Sequence, residues 1–492
     1  MTKNLIKGKT GPWEIVIGLE VHAQISSKSK LFSGSATEGD GGANSRVNFF
    51  DAGMPGMLPV VNSYCIDQAV RMGFGIHGKI NKVSVFDRKN YFYPDLPSGY
   101  QISQFFYPIV TQGYINIDDE TGPKRIGVTR IHMEQDAGKS QHDLDPSRTC
   151  IDLNRSGIAL MEIVTEPDIR SVAQAVAVAK KIHTLAQYLD VCDGNMERGN
   201  FRIDANISLH RPDTAFGTRV EIKNLNSFRF MQAALNYEID LHLETLESGG
   251  KISQETRLFD AAKGKTFTMR DKEDACDYRY FPDPDLNPVV LTEERIERLR
   301  QSLPELPDAK KERYKTDLGL SDYDATFLAE DRALGAFYEE ALAYPDFPDK
   351  KAAPKLVAHW MMGDMAALMN KGDRASDALS LAPRTLAQLV HFIQDGTISG
   401  KIAKTVFEKL WEDPALSVVD IVKNMRLQQI SDETELRTAI VKMLAEQQHN
   451  VAEYRNGKTS LFGFFVGQTM KIFQGKANPA KVNEILHQEL DS

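Results

Sequence analysis

Glu14-Ile-Val-Ile-Gly-Leu-Glu-Val-His-Ala-Gln-Ile25 decides how this chain is read, because its two-residue repeat changes character halfway along. Ile15, Ile17, Leu19, Val21, Ala23 and Ile25 share one face, as a strand packed on a core requires. The other face begins with Val16 and Gly18 and then becomes Glu20, His22 and Gln24. A carboxylate and an imidazole two positions apart on a strand point the same way, which suits a hard cation or a phosphate-bound metal. Taken alone, such a segment reads more simply as a half-exposed strand with one solvated side. Repetition argues otherwise.

Three more segments carry the same two-faced pattern. Ile203, Ala205, Ile207 and Leu209 oppose Arg202, Asp204, Asn206 and Ser208. Val220 and Ile222 oppose Arg219, Glu221 and Lys223, while Ile131 and Met133 oppose Arg130, His132 and Glu134. Glu162 differs, lying inside the apolar run from Ile158 to Val164, where a buried carboxylate requires a cation or a donor. Together these segments predict one largely antiparallel sheet whose second face is a charged cleft. Strand order is not legible at this level.

The bulk properties bound the answer. A chain of 492 residues exceeds one compact core, so two to four domains are expected. With 42% hydrophobic and 26% charged residues, and no apolar run near the length of a membrane span, it reads as soluble and globular. The first ten residues lack the apolar stretch of a secretory signal. Cys65, Cys150, Cys192 and Cys276 stand far apart without a paired C-x-x-C, which fits free thiols in the cytoplasm and argues against a zinc ribbon. A formal charge of −9 disfavours indiscriminate nucleic-acid binding but leaves room for a local basic surface.

Residues 12–290 read as mixed strand and loop with two helices. One follows Ser171, with Ser171 and Gln174 in capping-box spacing, and runs to about Leu189. The other spans Phe228 to Leu246 and stops at Ser248-Gly-Gly250. An almost wholly helical remainder begins near Thr292, and a second break falls around Asp395-Gly396-Thr397. Three domains are therefore expected, covering residues 1–292, 293–405 and 406–492.

Several motifs carry chemistry beside a plainer structural reading. The Gly- and Pro-rich segment from Asp51 to Asn62 implies a fixed turn beside the sheet. Phe86-Asp-Arg-Lys-Asn-Tyr-Phe-Tyr-Pro-Asp95 and Asp277-Tyr-Arg-Tyr-Phe-Pro-Asp-Pro-Asp285 interleave aromatics with charges. That mixture holds an RNA end or a nucleotide, or else anchors a rigid loop. Asp136-Ala-Gly-Lys-Ser140 offers a glycine turn, a lysine and a hydroxyl for phosphate oxygens. Asn456-Gly-Lys-Thr-Ser460 imitates the end of a Walker A loop, but Ala452 stands where that loop needs glycine and no strand precedes it. From Arg455 to Asn483 the chain holds Arg455, Lys458, Lys471, Lys476 and Lys481 and no acid. This stretch is either a solvated face or a contact for a nucleic-acid backbone.

Gly18-Leu-Glu-Val-His22, Asp87 to Asp95, Tyr100-Gln-Ile-Ser-Gln104 and His132 to Ser140 resemble the B subunits of aspartyl/glutamyl-tRNA(Asn/Gln) amidotransferases, the GatB/GatE family. Glu162 to Asp168, Arg202 to Asn206, Glu221 to Phe228 and Asp277 to Pro282 resemble them too, in the same order. Gly396 to Lys404 and Gly467 to Lys471 are similar to a YqeY-like tail. The resemblance implies an α+β fold: a largely antiparallel catalytic cradle similar to glutamine synthetase, followed by two all-helical domains. It also implies the reaction, in which ATP activates the side-chain carboxylate of Glu-tRNA(Gln) or Asp-tRNA(Asn) and ammonia then displaces phosphate.

On that resemblance, Glu20, His22, Glu134, Glu162 and Asp204 are expected to hold Mg²⁺, with Glu197 or Glu221 as weaker candidates. Imidazole is an unusual magnesium ligand, so His22 is also a candidate for orienting a metal-bound water. Glu134 and Lys139 are expected to be catalytic, and Lys139, Ser140, Asn206 and Lys223 to bind the nucleotide. Where relatives often carry a second acid after Glu134 this chain has Gln135, which the resemblance places with Lys89 on an ammonia route. Arg455, Lys458, Lys471, Lys476 and Lys481 are expected to bind tRNA. Ser33 to Arg46 contains no Cys, so no zinc is expected. No amidase-like nucleophile segment is present, so ammonia is expected from a separate amidase chain acting as glutaminase, with a third, small chain completing a heterotrimer. The competing readings are a non-catalytic tRNA-binding adaptor and a metal-dependent phosphohydrolase without tRNA.

Overall fold

In the computed structural model, residues 5–491 are described apart from 121, 143, 146, 272–276, 372–380, 426–429, 431 and 474–476. The chain divides into two compact units, Met1–Leu306 and Pro307–Ser492. The first is an α+β unit on a large mixed sheet; the second is helical.

The strands and helices of the first unit follow in chain order. They are β1 (Leu5–Gly8), β2 (Gly11–Gln24), α1 (Ser63–Gly75), β3 (Lys79–Ile80), β4 (Val83–Ser84), β5 (Asp87–Asn90) and β6 (Tyr100–Ser103). Next come β7 (Val110–Asp119), β8 (Gly122–Gln135), β9 (Lys139–Gln141), β10 (Cys150–Asp152), β11 (Ala159–Thr165) and α2 (Val172–Tyr188). After these are β12 (Phe201–His210), β13 (Val220–Leu225), α3 (Phe228–Glu247), β14 (Glu255–Asp260), β15 (Lys265–Asp271), β16 (Phe281–Pro282), β17 (Val289–Val290) and α4 (Glu293–Gln301).

The main sheet runs β15-β14-β13-β12-β2-β11-β8-β7-β3, with β1 paired to β2. All pairs are antiparallel except β13 with β14. The four segments singled out by alternation and the apolar run around Glu162 are the five adjacent strands β13, β12, β2, β11 and β8. Their apolar sides form buried rows such as Ile203, Val21, Ile163 and Ile131. Helices α1, α2 and α3 pack on that side, which leaves the charged side to the site.

Both expected helices open on a capping serine, the first at the expected Ser171. The Ser171 hydroxyl accepts from Gln174 N and opens α2, and the Ser227 hydroxyl accepts from Phe230 N and opens α3. Helix α3 ends at Ser248, followed by Gly249 at φ +82°, a conformation that favours glycine. Helix α1 is a third one, not expected from the sequence. Gly73 lies so close to the sheet that a Cβ would come within 2.6 Å of Ile80 and 2.7 Å of Val110. A glycine that breaks the helical pattern is therefore the contact that lets α1 dock.

The two units meet in sequence later than residue 292. Helix α4 belongs to the first core through Ile296 and Leu299, so the division falls at Leu306/Pro307. In the second unit, residue 405 lies within a helix, Gly400–Glu412, whose buried Ile402, Val406 and Leu410 continue the core begun at Tyr314. A separate core begins only at Leu436 and gathers the last helices, including Gln448–Arg455, Phe462–Ile472 and Pro479–Leu490.

Candidate active site

Register decides which side chains meet on the charged side of the sheet. His22 on β2 stands opposite Arg202 on β12 and opposite Glu162 on β11, and Glu162 stands opposite His132 on β8. One row across four strands thus reads Arg202, His22, Glu162, His132. The row beside it reads Asp204, Glu20, Val164, Arg130. Glu134 stands opposite Leu160, two residues along from His132 on the same face.

The side chains converge on one carboxylate. Glu162 Oε2 is 3.3 Å from His22 Nε2 and 3.3 Å from His132 Nε2. His22 Nε2 is also 3.8 Å from Glu134 Oε1 and 3.9 Å from Glu20 Oε1. Arg130 Nε donates to His132 Nδ1 at 3.2 Å. Burial works against the charge on His22, but its hydrogen bond to Glu162 and the charges of Glu162, Glu134 and Asp204 outweigh it and raise the imidazole to about 9. Glu162 is held well below the usual carboxylate range, because His132 and His22 outweigh its own desolvation. Glu20 is pushed the other way, to about 7, by burial and then by the charges of Glu162 and Asp204.

A second group flanks this one. Lys223 Nζ reaches Asp204 Oδ2 at 2.7 Å and Glu221 Oε1 at 3.0 Å, and Thr256 donates to Glu221 Oε2 at 2.9 Å. Arg202 and Arg155 meet Asp136 Oδ2 at 3.3 and 3.4 Å. Asn206 lies between Gly18 and Glu221 on the same face.

The two aromatic motifs form one wall. Strands β16, β5 and β6 make a small sheet in which Phe281 pairs with Arg88, and Arg88 reaches Asp283 and Asp285 at 2.8 Å each. Lys89 Nζ sits 5.0 Å from the Tyr278 ring and 5.8 Å from the Tyr91 ring. Burial would lower the Lys89 ammonium, but Glu134, then Tyr280, Tyr91 and Glu162, raise it. Lys89 therefore faces the acidic cluster. Its link to Gln135 is indirect: Gln101, opposite Lys89, donates to the Gln135 carbonyl at 2.8 Å.

Other expected residues are not gathered into the cluster. Lys139 is exposed on β9 opposite Asp152, and Ser140 donates to Asp95 Oδ2 at 2.9 Å. Neither has a hydrogen bond or ion pair to the cluster among the described residues. Glu197 is exposed in the loop before β12. In the last core, Arg455 donates to the carbonyls of Leu490 at 3.0 Å and Glu489 at 3.2 Å, and Lys458 pairs with Glu453 at 2.9 Å. Both have internal work. Lys471 is exposed, Lys481 is half-buried near the start of the last helix, and Lys476, like Cys276, lies outside the described residues.

Alternation puts His132 and Arg130 on the charged face of β8 but does not mark either as a site residue. Pattern alone did not show that β8 and β2 flank β11, which is what turns two histidines toward one glutamate. Among the described residues, Glu20, His22 and Glu162, and separately His132, Glu134 and Glu162, bring ligand atoms within 4.8 Å of one another. The carboxylate oxygens fit a hard divalent cation, and the imidazole of His22 is the unusual member of the set, suited also to orienting a metal-bound water. The upward push on Glu20 comes first from burial and then from the charges of Glu162 and Asp204, and a cation beside it would oppose both.

Residues 15–297 match the GatB/GatE catalytic domain, and residues 346–490 match the GatB domain. The chain belongs to the GatB/GatE family. It is 52% identical over 480 residues to the B subunit of the aspartyl/glutamyl-tRNA(Asn/Gln) amidotransferase of Hydrogenovibrio crunogenus, covering 97% of this chain and 99% of that protein. It is also 52% identical to the protein of that name from Zymomonas mobilis over 495 residues, covering 100% of both. The one from Rickettsia bellii is 51% identical over 488 residues, covering 99% of each. The GatB/GatE catalytic match contains the entire charged face. No helix among the described residues is long and apolar enough to cross a membrane.

Proposed function

We propose that this chain is the B subunit of a tRNA-dependent amidotransferase, the chain that activates and amidates the amino acid on Glu-tRNA(Gln), Asp-tRNA(Asn) or both. The observation that carries the proposal is the convergence of Glu20, His22, Glu134 and Glu162 on one buried, charged side of a sheet. The sheet is taken to be a cradle of the glutamine synthetase kind. A side-chain carboxylate is a poor electrophile because its oxygen leaves badly. ATP transfers its γ-phosphoryl group to that oxygen, giving an acyl phosphate and ADP. Ammonia attacks the acyl carbon, the C–O bond to phosphate breaks, and the attacking nitrogen sheds a proton as the amide forms.

Glu20, His22, Glu134, Glu162 and Asp204 would hold Mg²⁺, which when bound shields the negative charges of phosphate and carboxylate from one another. Lys223 is raised by Asp204 and Glu221 against its own desolvation, so it stays a cation and contributes to nucleotide binding with Asn206. Lys139 and Ser140 are assigned to the nucleotide from the rim of the site. Lys89, held charged, can donate but not accept a proton, so on the ammonia route with Gln135 it orients rather than deprotonates. Glu134 is the catalytic carboxylate, close to His22 and dominant in the field on Lys89. Ammonia comes from the amidase chain acting as glutaminase, the third, small chain completes the heterotrimer, and the helical tail from about residue 406 contacts tRNA through its exposed lysines. The setting is the cytoplasm.

The test uses the assembled heterotrimer. Glu134→Gln is expected to slow ATP-dependent phosphorylation of misacylated tRNA by about 10²-fold or more, with tRNA affinity within a factor of about two of wild type. Unimpaired phosphorylation in Glu134→Gln would assign this chain the adaptor role and move the chemistry elsewhere.

A further inference from the structure

We infer that Arg130 and His132 form a positioning relay that fixes Glu162 as a cation ligand, and that His132 itself does not bind the cation. The inference rests on the metal site proposed above.

The donor inventory decides it. Arginine only donates, so the 3.2 Å contact from Arg130 Nε makes His132 Nδ1 an acceptor. An imidazole accepting at Nδ1 carries its hydrogen on Nε2. Nε2 is the atom 3.3 Å from Glu162 Oε2, so it donates there and has no lone pair for a metal. His132 therefore leaves the ligand set, although its atoms lie close enough for one. His22 Nε2 also lies 3.3 Å from Glu162 Oε2, so His22 becomes a ligand only where a cation replaces that hydrogen bond; among the described residues no arginine fixes its tautomer as Arg130 fixes that of His132.

The strand register makes the relay rigid. Arg130 and His132 are two apart on β8 and share a face, and His132 is directly opposite Glu162. His132 and Glu162 are both buried, so neither side chain has room to seek another partner. Both imidazoles approach the same oxygen, Oε2, and among the described residues no side chain donates to Oε1. One oxygen is pinned and the other is left for the cation. A neutral donor behind a ligating carboxylate orients it, and loss of such a partner commonly lowers metal affinity 10- to 100-fold.

The relay predicts an effect opposite in sign to simple electrostatics. Removing the positive charge of Arg130 should strengthen cation binding if Arg130 acts only as a nearby charge. If it acts through His132, Arg130→Met weakens binding instead. The experiment measures Mn²⁺ affinity by electron paramagnetic resonance on the assembled complex, with thermal melting of each variant as a control for folding. Arg130 is half-buried, so its substitution by Met spares the core.

Expected are a weakening of about 10-fold for Arg130→Met and about 10- to 100-fold for His132→Leu. The double variant should be no weaker than His132→Leu alone, because the first residue works through the second. His132→Gln, which can accept from Arg130 and donate to Glu162, should restore most of the affinity. Unchanged or tighter binding in Arg130→Met, or additive losses in the double variant, overturns the relay. Glu162→Gln separates the two levels: if it leaves Mn²⁺ affinity at the wild-type value, the metal site fails and the relay with it. If Glu162→Gln abolishes binding while Arg130→Met does not weaken it, the relay alone fails.

Discussion

Glu162→Gln should lower divalent-cation affinity by at least about 10²-fold and slow ATP-dependent amidation by about 10²–10³-fold, or roughly 3–4 kcal/mol of transition-state stabilisation. The substitution keeps size and shape, so the effect is one of charge and hydrogen bonding. Glu162 is the member common to both ligand groupings, and both imidazoles point at its Oε2. An amide nitrogen there meets two donors, and an amide oxygen there leaves no anion for the cation. The fold should survive, because removing this charge also relieves repulsion on Glu20. The Glu20 carboxyl should accordingly move down from about 7 toward its ordinary range, which side-chain NMR can follow. Wild-type cation affinity in Glu162→Gln would mean that the row of His22, Glu162 and His132 is a structural hydrogen-bond network and nothing more.

The second large effect lies away from the chemistry. Lys30→Met should destabilise the protein by about 3–5 kcal/mol in urea unfolding. Lys30 and Asp51 are buried, and Lys30 Nζ meets Asp51 Oδ2 at 3.0 Å and the Leu153 carbonyl at 3.3 Å. Asp51 also accepts from Ser33 Oγ at 2.8 Å and Asn48 N at 3.1 Å. The pair thus ties three segments of irregular chain together beside the sheet. Burial pulls the Lys30 ammonium down and Asp51 only partly restores it, as expected for an ion pair taken fully out of water. Methionine fills the space but leaves Asp51 as an unpaired buried charge. Adding Asp51→Asn to Lys30→Met should recover part of the loss, since no uncompensated charge then remains. A loss under about 1 kcal/mol for Lys30→Met would show that water reaches Asp51.

What was legible in the sequence follows from what alternation encodes. A two-residue repeat states which side chains share a face, and on that basis β2, β8, β12 and β13 were recognisable as two-faced strands. The repeat does not state which strands are neighbours. The meeting of His22 and His132 at Glu162 depends on β11 lying between β2 and β8, and this is a property of the assembled sheet. The aromatic motifs around Asp87 and Asp277 show the same limit, since they pair as β5 and β16 across a long stretch of intervening chain. Lys139 stands in a local Gly-Lys-Ser pattern, but β9 pairs with β10 and leaves that lysine exposed. Arg455 illustrates the ambiguity of charge. Its guanidinium serves the carbonyl ends of the last helix, an interaction that a list of basic residues cannot distinguish from a phosphate contact. Helix α1 is hard to see in the sequence because its glycines obey packing and not helix propensity, Gly73 against Ile80 and Val110 and Gly75 against Leu189.

The most direct test of the account is where a divalent cation sits when nucleotide is present. Crystals of the assembled heterotrimer grown with Mn²⁺ and a non-hydrolysable ATP analogue give its position from the anomalous signal of manganese. The account predicts a peak bonded to Glu162 Oε1 and shared with Glu20 or His22, on the charged side of β2 and β11. A peak liganded by none of Glu20, His22, Glu134 and Glu162, with those side chains still held only by one another, would contradict it.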